Sequence, residues 1–157
     1  MFVGGDEIVP QRAGRVDGIA IRTAKEGPMR ELLVAHAVAG HGLEEDKVPV
    51  KPDRGITFLS GEKWAEVCVA LGFHIPWHTR RANVLTEGLD LATLIGRSIH
   101  IGEVEVAIIG ETKPCALMDK IQAGLRNALT PECRAGVHGR VIHGGALRVG
   151  DAIRVQR

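Results

Sequence analysis

Short runs in which apolar residues alternate with polar or small ones set the pattern of this chain. In one of them Val104, Val106 and Ile108 recur at every second position, the period of a strand that buries one face. Glycine-rich turns separate the runs. Runs of this kind, or uninterrupted apolar runs of similar length, lie at residues 15–22, 31–38, 56–59, 82–85, 99–101, 104–108, 137–142, 146–149 and 152–155. These segments predict about nine short strands, and at 31–38, where a helix would also fit, we favour a strand.

Two segments instead show the longer period of a helix. Ser60 is an N-cap residue for the first, and the second extends from Leu117 to Ala128 as one helix. The apolar stripe of the first helix consists of Trp64, Val67, Cys68 and Leu71. A shorter helical turn is predicted after Asp90. A few helices among many short strands predict a mainly β fold, a closed or partly closed antiparallel barrel.

Composition narrows the classes of partner. Residues 1–13 show no period and are predicted to be a flexible lead-in, so residues 14–157 form a single domain. No apolar run approaches the roughly 18 residues that a membrane span needs. A formal net charge of +1 with no tyrosine and three phenylalanines gives little reason to expect nucleic acid as a partner. Three cysteines without a signal-peptide pattern favour a reducing cytoplasm.

Cys115 lies where a strand-like run gives way to a helix-like one. Pro114 suits the turn before such a helix. The first helical turn carries unpaired N–H groups and the positive end of the helix dipole, and Lys113 adds a cation. Because thiolate is the nucleophilic and metal-binding form of cysteine, these surroundings indicate a reactive thiol. A small buried apolar side chain is the alternative reading of Cys115.

The other cysteines carry weaker signals. Cys68 falls on the apolar stripe of the first helix and is predicted to belong to the core. Cys133 could resolve an oxidised form of Cys115, although we favour an incidental exposed thiol because a disulfide needs spatial closeness. His74 and His78 have a spacing that a metal site on a helix would use, but Pro76 lies between them and no third ligand is evident. We therefore do not predict a zinc site.

Histidines and arginines near the end of the chain leave further options open. His138 or His143 could supply an imidazole for Cys115, although distance along the sequence cannot test this. A cradle for an anion could also form, since the planar fork of arginine matches phosphate oxygens. The residues that could form it are Arg80, Arg81, Arg134, Arg140 and His138. Scattered, solvated arginines are the alternative, and residue pattern alone favours them.

Four motifs occur along the chain in a defined order. They are Arg80-Arg81-Ala82-Asn83, Glu87-Gly88-Leu89-Asp90-Leu91, Thr112-Lys113-Pro114-Cys115 and Gly136-Val137-His138-Gly139-Arg140-Val141. In this order they resemble the MOSC domain, the C-terminal domain type of molybdenum cofactor sulfurases. The likeness covers roughly residues 14–156. One position departs from the family pattern, because Glu45 stands where the family usually has glycine before the aspartate matched by Asp46.

The resemblance implies a compact, mostly β fold and a site built around one cysteine. By position that cysteine is Cys115, which would serve as sulfur carrier or molybdenum ligand. Residues of the first motif match those that line the family's pocket, where they would meet the phosphate or the polar ring edge of the pyranopterin of the molybdenum cofactor. The implied cofactor-binding residues are Arg80, Arg81, Asn83, Lys113 and Arg140.

Three functional hypotheses follow from the resemblance. In the leading one, Cys115 receives sulfane sulfur as a persulfide from a pyridoxal-phosphate cysteine desulfurase. It then delivers the sulfur to a molybdenum or other metal-sulfur centre of a molybdoenzyme or electron-transfer protein. Because 157 residues leave no room for a desulfurase fold, pyridoxal phosphate is not expected on this chain. The alternatives are a molybdenum-dependent reductase of N-hydroxylated compounds with Cys115 as metal ligand, and a binding module without catalysis.

Overall fold

A computed structural model of the protein describes residues 14–156. Eleven strands lie in this range: β1 (Gly14–Arg22), β2 (Met29–Leu32), β3 (Val34–Val38), β4 (Gly42–Leu43), β5 (Ile56–Ser60), β6 (Val84–Glu87), β7 (Ser98–Ile101), β8 (Val104–Glu111), β9 (Val137–His143), β10 (Gly145–Arg148) and β11 (Ala152–Val155). Three α-helices accompany them: α1 (Gly61–Leu71), α2 (Ala116–Ile121) and α3 (Leu125–Leu129). The predicted lead-in, residues 1–13, lies outside the described residues.

Seven of the strands close into a barrel. Around it the order is β1, β6, β5, β9, β8, β7 and β11, and β11 pairs back onto β1 through Gly14 and Ile153. All neighbours are antiparallel except β5 and β6, which are parallel because α1 carries the chain from one to the other. The predicted mainly β, closed and largely antiparallel barrel is therefore confirmed.

The remaining strands lie outside the closed ring. β2 extends the sheet by pairing with the end of β1, and β10, β3 and β4 form a separate three-stranded sheet. Leu33 separates β2 from β3 and is 78% exposed. The predicted single strand at residues 31–38 is therefore wrong in one respect, because the chain leaves one sheet at Leu33 and joins another.

Two apolar clusters stabilise this arrangement. The barrel interior is filled by alternate residues of the strands, Phe58 and Ile99 among them, which are fully buried. The second cluster lies between the barrel and the helices, where Trp64 and Val67 of α1 pack with Leu125 and Leu129 of α3. Ser60 caps α1 as predicted, since its hydroxyl accepts a hydrogen bond from the Lys63 N–H at 3.1 Å.

The helix predicted from Leu117 to Ala128 is wrong, because it is divided between α2 and α3. Gln122 is extended, and Gly124 has a left-handed φ of 86° that costs glycine little. The Asp119 carboxylate then accepts a hydrogen bond from the Arg126 N–H at 3.0 Å. No helix among the described residues is long and apolar enough to cross a membrane.

Candidate functional site

Cys115 is the N-cap residue of α2, as the sequence predicts. The chain leaves β8 at Glu111, turns at Pro114, and enters α2 when the Met118 N–H donates to the Cys115 carbonyl at 3.0 Å. Because α2 has only six residues, its dipole contributes little to the site. The side chain of Cys115 is exposed, so the alternative of a buried apolar cysteine is excluded.

Cys115 opens onto a cleft of about 360 Å³, within the usual range for small-molecule sites. Three of the sequence-predicted residues, Arg80, Arg81 and Lys113, lie on the same walls. The cleft is lined by Arg22, Lys25, Val48, Val50, Arg54, Thr57, Arg80, Arg81, Thr112, Lys113, Pro114, Cys115, Leu117 and Met118. Six of these are basic and none is acidic, so the cleft suits an anion.

Arg80 is the most deeply buried cation of the cleft, with 7% of its surface exposed. Its Nε donates to the Ala135 carbonyl at 2.9 Å. Its terminal nitrogens have no hydrogen-bond partner among the described residues. Because no fully buried polar side-chain atom in this part of the chain lacks a partner, these nitrogens are exposed to the cleft that Arg80 lines. Burial lowers the pKa of Arg80 to about 10, an effect that the Cys115 sulfur opposes and Arg54 strengthens. Arg80 therefore remains a cation at neutral pH and presents its donors beside Cys115.

Arg81 lines the cleft, but its guanidinium is bonded to the protein. It donates to the carbonyls of Gly27, Ala24 and Lys25, at 2.5, 3.1 and 3.1 Å respectively, and so holds the turn between β1 and β2. Burial lowers the pKa of Arg81, Arg22 lowers it further, and nearby carboxylates oppose the shift. Arg81 thus contributes charge to the cleft while its donors are mostly occupied.

Lys113 stands at the rim of the cleft. Its side chain is 78% exposed, and its ammonium lies 3.2 Å from a carboxylate oxygen of Glu111. An exposed pair of this kind is screened by water. Lys113 can therefore turn toward a bound anion without a large loss of stability.

Asn83 lies in the protein interior and does not line the cleft. Its amide nitrogen donates to the Ala20 carbonyl at 3.2 Å and to Asp46 at 3.1 Å. Its amide oxygen accepts hydrogen bonds from the Thr57 backbone N–H at 3.0 Å and the Thr57 hydroxyl at 3.1 Å. These bonds connect β1, β5 and the loop before β5, so the structure gives Asn83 a role in supporting the wall of the cleft.

Arg140 also lies away from the cleft. It projects from β9 with 44% of its side chain exposed and forms an ion pair with Asp53 at 3.1 Å. Asp53 precedes Arg54 in the 3-10 turn Pro52–Arg54, and Arg54 does line the cleft. Arg140 is therefore placed to hold this turn rather than to touch a ligand in the cleft.

Sequence reasoning missed three of the cations. Lys25 belongs to the turn after β1, Arg22 ends β1, and Arg54 ends the long loop whose position the sequence left open. That loop also contributes Val48 and Val50, so it forms one wall of the site. Basic residues in turns and at strand ends are common on any surface. Only the closing of the barrel shows that these three converge.

The loop is held in place by Asp46. Its carboxylate receives three charge-assisted hydrogen bonds from the Arg22 guanidinium, the shortest at 2.9 Å, as well as the bond from Asn83. Glu45, the position that departs from the family pattern, turns the other way and bonds to the backbone and the ring of His36. The glutamate is therefore accommodated outside the cleft, and Asp46 keeps its inward contacts.

Behind the cleft, the buried Thr112 hydroxyl lies 3.3 Å from Nδ1 of His138. His138 is 7% exposed and is not part of the cleft lining. Burial lowers the pKa of His138, Arg54 lowers it further, and Asp53 opposes the shift. The imidazole is consequently neutral at physiological pH, and its hydrogen bond to Thr112 joins it to a residue that lines the cleft.

The remaining cysteines and histidines take no part in the cleft. Cys68 is half-buried and packs against the helical cluster, and Cys133 is half-buried against the barrel core. Within residues 14–156, neither His74 nor His78 belongs to any group of three residues that could hold a metal ion.

The family model described as the MOSC domain matches residues 45–154, and the chain belongs to this family. Among curated proteins, none matches the sequence.

Solved structures share the fold at low sequence identity. YuaD from Bacillus subtilis is 21% identical with a TM-score of 0.80, and the match covers 92% of this chain and 96% of that one. YiiM from Escherichia coli is 16% identical with a TM-score of 0.69, covering 90% and 69% of the two chains. YiiM from Geobacillus stearothermophilus is 15% identical with a TM-score of 0.71, covering 90% and 74%. At these identities the likeness concerns the fold alone.

Proposed function

We propose that this MOSC domain is a sulfur carrier and that Cys115 holds the transferred sulfur as a persulfide. A pyridoxal-phosphate cysteine desulfurase supplies the sulfane sulfur, and a molybdenum or other metal-sulfur centre receives it. The observation that carries the proposal is the exposed Cys115 sulfur beside Arg80, whose terminal nitrogens have no hydrogen-bond partner among residues 14–156. A persulfide reacts as a nucleophile in its anionic form. A buried guanidinium beside it stabilises that anion.

The loading step is an exchange between two sulfur atoms. The Cys115 thiolate attacks the outer sulfur of the donor's persulfide, a new S–S bond forms on Cys115, and the donor cysteine leaves as a thiolate. No electrons are gained or lost overall. Release of the sulfur as sulfide consumes two electrons, which an outside pair of thiols supplies by forming a disulfide.

The residues of the cleft also fit the molybdenum cofactor. Cys115 offers a soft thiolate ligand for the molybdenum ion. The cations of Arg80, Lys25 and Arg54 suit the phosphate group of the cofactor. When bound, the metal supplies the redox and oxygen-transfer chemistry. This fit supports transient binding of the cofactor as part of the carrier function, with Cys115 and the three cations as the residues that would hold it.

A reductase of N-hydroxylated compounds is the second candidate function. It is favoured by one observation, that the exposed thiol of Cys115 is open to direct metal ligation in an anion-binding cleft. Protein produced in a host that makes the molybdenum cofactor separates the two candidates by metal analysis. Stoichiometric molybdenum and pterin that are lost in Cys115→Ala favour the reductase, whereas protein purified without them favours the carrier.

Labelled sulfur tests the carrier function directly. The protein is incubated with a cysteine desulfurase, pyridoxal phosphate and [³⁵S]cysteine, and the labelled residue is located by mass spectrometry. We expect label on Cys115, its loss after reduction, and none in Cys115→Ala. Cys133→Ala is the matched control and should keep the label. An unlabelled wild type, or equal label in Cys115→Ala, would overturn the proposal.

A further inference from the structure

We propose that the Cys115 cleft also takes sulfane sulfur directly from thiosulfate, with the guanidinium groups of Arg80 and Arg54 binding the sulfonate oxygens. The inference rests on the proposed sulfur-carrier function, because it requires Cys115 to hold a persulfide. It goes beyond that function by adding a second class of donor, a small anion that needs no protein partner. The domain is then a thiosulfate sulfurtransferase as well as a carrier that a desulfurase loads.

Three cations of the cleft have no ion pair within residues 14–156. They are Arg80, Arg54 and Lys25. Asp53, the acid next to Arg54 along the chain, is paired instead with Arg140 at 3.1 Å. No carboxylate belongs to the cleft lining. The positive charge of these three residues is therefore left for a bound anion to neutralise.

Arg80 gives the most specific sign of an anionic ligand. Only 7% of its surface is exposed, and its Nε is satisfied by the Ala135 carbonyl at 2.9 Å. Its terminal nitrogens have no hydrogen-bond partner among the described residues and are exposed to the cleft. A buried charge is costly unless it is paired. The planar fork of a guanidinium matches two oxygens of an oxyanion, such as the sulfonate group of thiosulfate.

Arg54 brings a second guanidinium to the same cleft. It ends the 3-10 turn Pro52–Arg54, whereas Arg80 ends the 3-10 turn Trp77–Arg80, and both line the cleft with Cys115. The charge of Cys115 raises the pKa of Arg80 and that of Arg54 lowers it, so the three groups lie within electrostatic reach of one another. Two guanidinium groups repel each other, and an anion bound by both relieves the repulsion.

The reaction balances without an oxidant. The Cys115 thiol, which is exposed, loses its proton to water, and the thiolate attacks the outer sulfur of thiosulfate. A new S–S bond forms on Cys115, the S–S bond of thiosulfate breaks, and sulfite leaves with the electron pair of that bond. Cys115 keeps the transferred sulfur as a persulfide anion. Sulfur atoms and negative charge are conserved.

The cations act at two points of this reaction. A thiolate and a dianion repel each other in water, and the positive charge of the cleft offsets that repulsion. Negative charge then moves onto the sulfonate oxygens as sulfite departs. Guanidinium donors that bind these oxygens stabilise the transition state more than they stabilise bound thiosulfate, which accelerates the transfer.

Two reagents that share a sulfur–sulfonyl bond but differ in charge test the inference. Thiosulfate is a dianion, whereas S-methyl methanethiosulfonate is uncharged, and a thiolate attacks both at the divalent sulfur. Single-turnover rates are measured by release of sulfite or methanesulfinate and by mass spectrometry of the Cys115 peptide. With thiosulfate we expect the wild type to gain one sulfur atom on Cys115 and to release an equivalent of sulfite. Cys115→Ala should do neither.

Substitutions of the two arginines show whether they bind the sulfonate group. Arg80→Met and Arg54→Met should each slow the reaction with thiosulfate about tenfold or more, and should change the rate with the uncharged reagent less than about twofold. Because Arg54 is exposed, its substitution tests the charge without disturbing the packing. Arg97→Met removes the same charge from an exposed position outside the cleft, so it is the matched control and should change neither rate.

The outcomes separate this inference from the function on which it rests. If a desulfurase loads Cys115 but thiosulfate yields no sulfite, the inference is wrong and the carrier function stands. If neither donor loads Cys115, both are wrong. If Arg54→Met and Arg80→Met react with thiosulfate at the wild-type rate, or if Arg54→Met slows both reagents equally, the two guanidinium groups do not bind the sulfonate oxygens.

Discussion

The Nε of Arg80 donates to the carbonyl of Ala135 at 2.9 Å, which commits one edge of the guanidinium to the fold and leaves the other to the cleft. A buried arginine is stabilised by this bond, since its desolvation is otherwise costly. The same contact sets the direction in which the free donors point. Arg80 is therefore anchored to the fold at Ala135 and supplies hydrogen-bond donors to the cleft.

The charge of Arg80 should govern how fast Cys115 reacts with anions. Arg80→Met should lower the alkylation rate with anionic iodoacetate, relative to neutral iodoacetamide, about fivefold, because roughly 1 kcal/mol of attraction is lost. Arg80→Lys should preserve most of the ratio. Lys113→Met is the control and should change it less, since Lys113 is exposed and paired with Glu111. An unchanged ratio in Arg80→Met would show that its charge does not act on Cys115.

Asn83 should matter for stability more than for reactivity. Asn83→Ala leaves the Ala20 carbonyl, the Thr57 N–H and the Asp46 carboxylate without a shared partner, so we expect a loss of about 2–4 kcal/mol. Denaturant unfolding measures it. Asn127→Ala, at an exposed position of α3, should change the free energy of unfolding by no more than about 0.5 kcal/mol. Equal effects of the two variants would contradict the supporting role of Asn83.

His138 should make the fold less stable in mild acid. Its pKa is lowered by burial and by Arg54, so between the ordinary value of about 6.5 and the folded value the unfolded chain binds the extra proton. The stability that neutral His138 contributes is thus fully present above about pH 6.5 and is lost as the pH drops toward its pKa in the folded protein. Unfolding free energies measured from pH 7.5 to 5 should show this slope, reduced in His138→Gln and retained in His143→Gln. A slope of the same size in His138→Gln would assign it to other groups.

Cys115 should react before the other two thiols. Cys115 is exposed, whereas Cys68 and Cys133 are half-buried. Burial, with Glu111 and Asp90, raises the pKa of Cys133 above its ordinary 9.0, so its thiolate forms only at higher pH. Iodoacetamide at pH 7.5 should label Cys115 first, and Cys133 should follow only as the pH rises above 9. Peptide mapping gives the order, and labelling of Cys133 before Cys115 would contradict the structure.

Gly136 and Gly150 both have a left-handed φ, of 92° and 98°, but differ in the space around them. A Cβ at Gly136 would stand 2.0 Å from the Phe58 carbonyl oxygen, while none of the described atoms lies within 4 Å of one at Gly150. Gly150→Ala should cost about 1 kcal/mol through backbone strain alone. Gly136→Ala should cost more than about 3 kcal/mol, because strand β5 must move as well. Urea unfolding distinguishes them, and similar losses would show that the close contact is relieved easily.

Some features could be predicted because their cause is local. The two-residue alternation of Val104, Val106 and Ile108 predicted β8, and the position of Ser60 predicted the start of α1. The position of Cys115 at a helix start was also confirmed. The extent of that helix was not, since the apolar period continues through Gly124 while the backbone there turns left-handed.

The candidate site likewise combines features that the sequence predicts with features that it does not. Proximity of Arg80, Arg81, Lys113 and Cys115 was expected from the family motifs, and the cleft contains all four. The roles that the structure gives to Asn83 and Arg140 depend on partners far along the chain, Ala20 and Asp53. No pattern around either residue reports such partners.

By itself the sequence determined the periods of the strands, the cap of α1 and the place of the thiol at the end of β8, because each follows from residues within a few positions of one another. Closure of the barrel decided which cations surround the thiol, which of their donors remain free, and that His138 stands behind Thr112. Those outcomes depend on hydrogen bonds and packing between segments distant in sequence, whose geometry exists only once β11 pairs with β1.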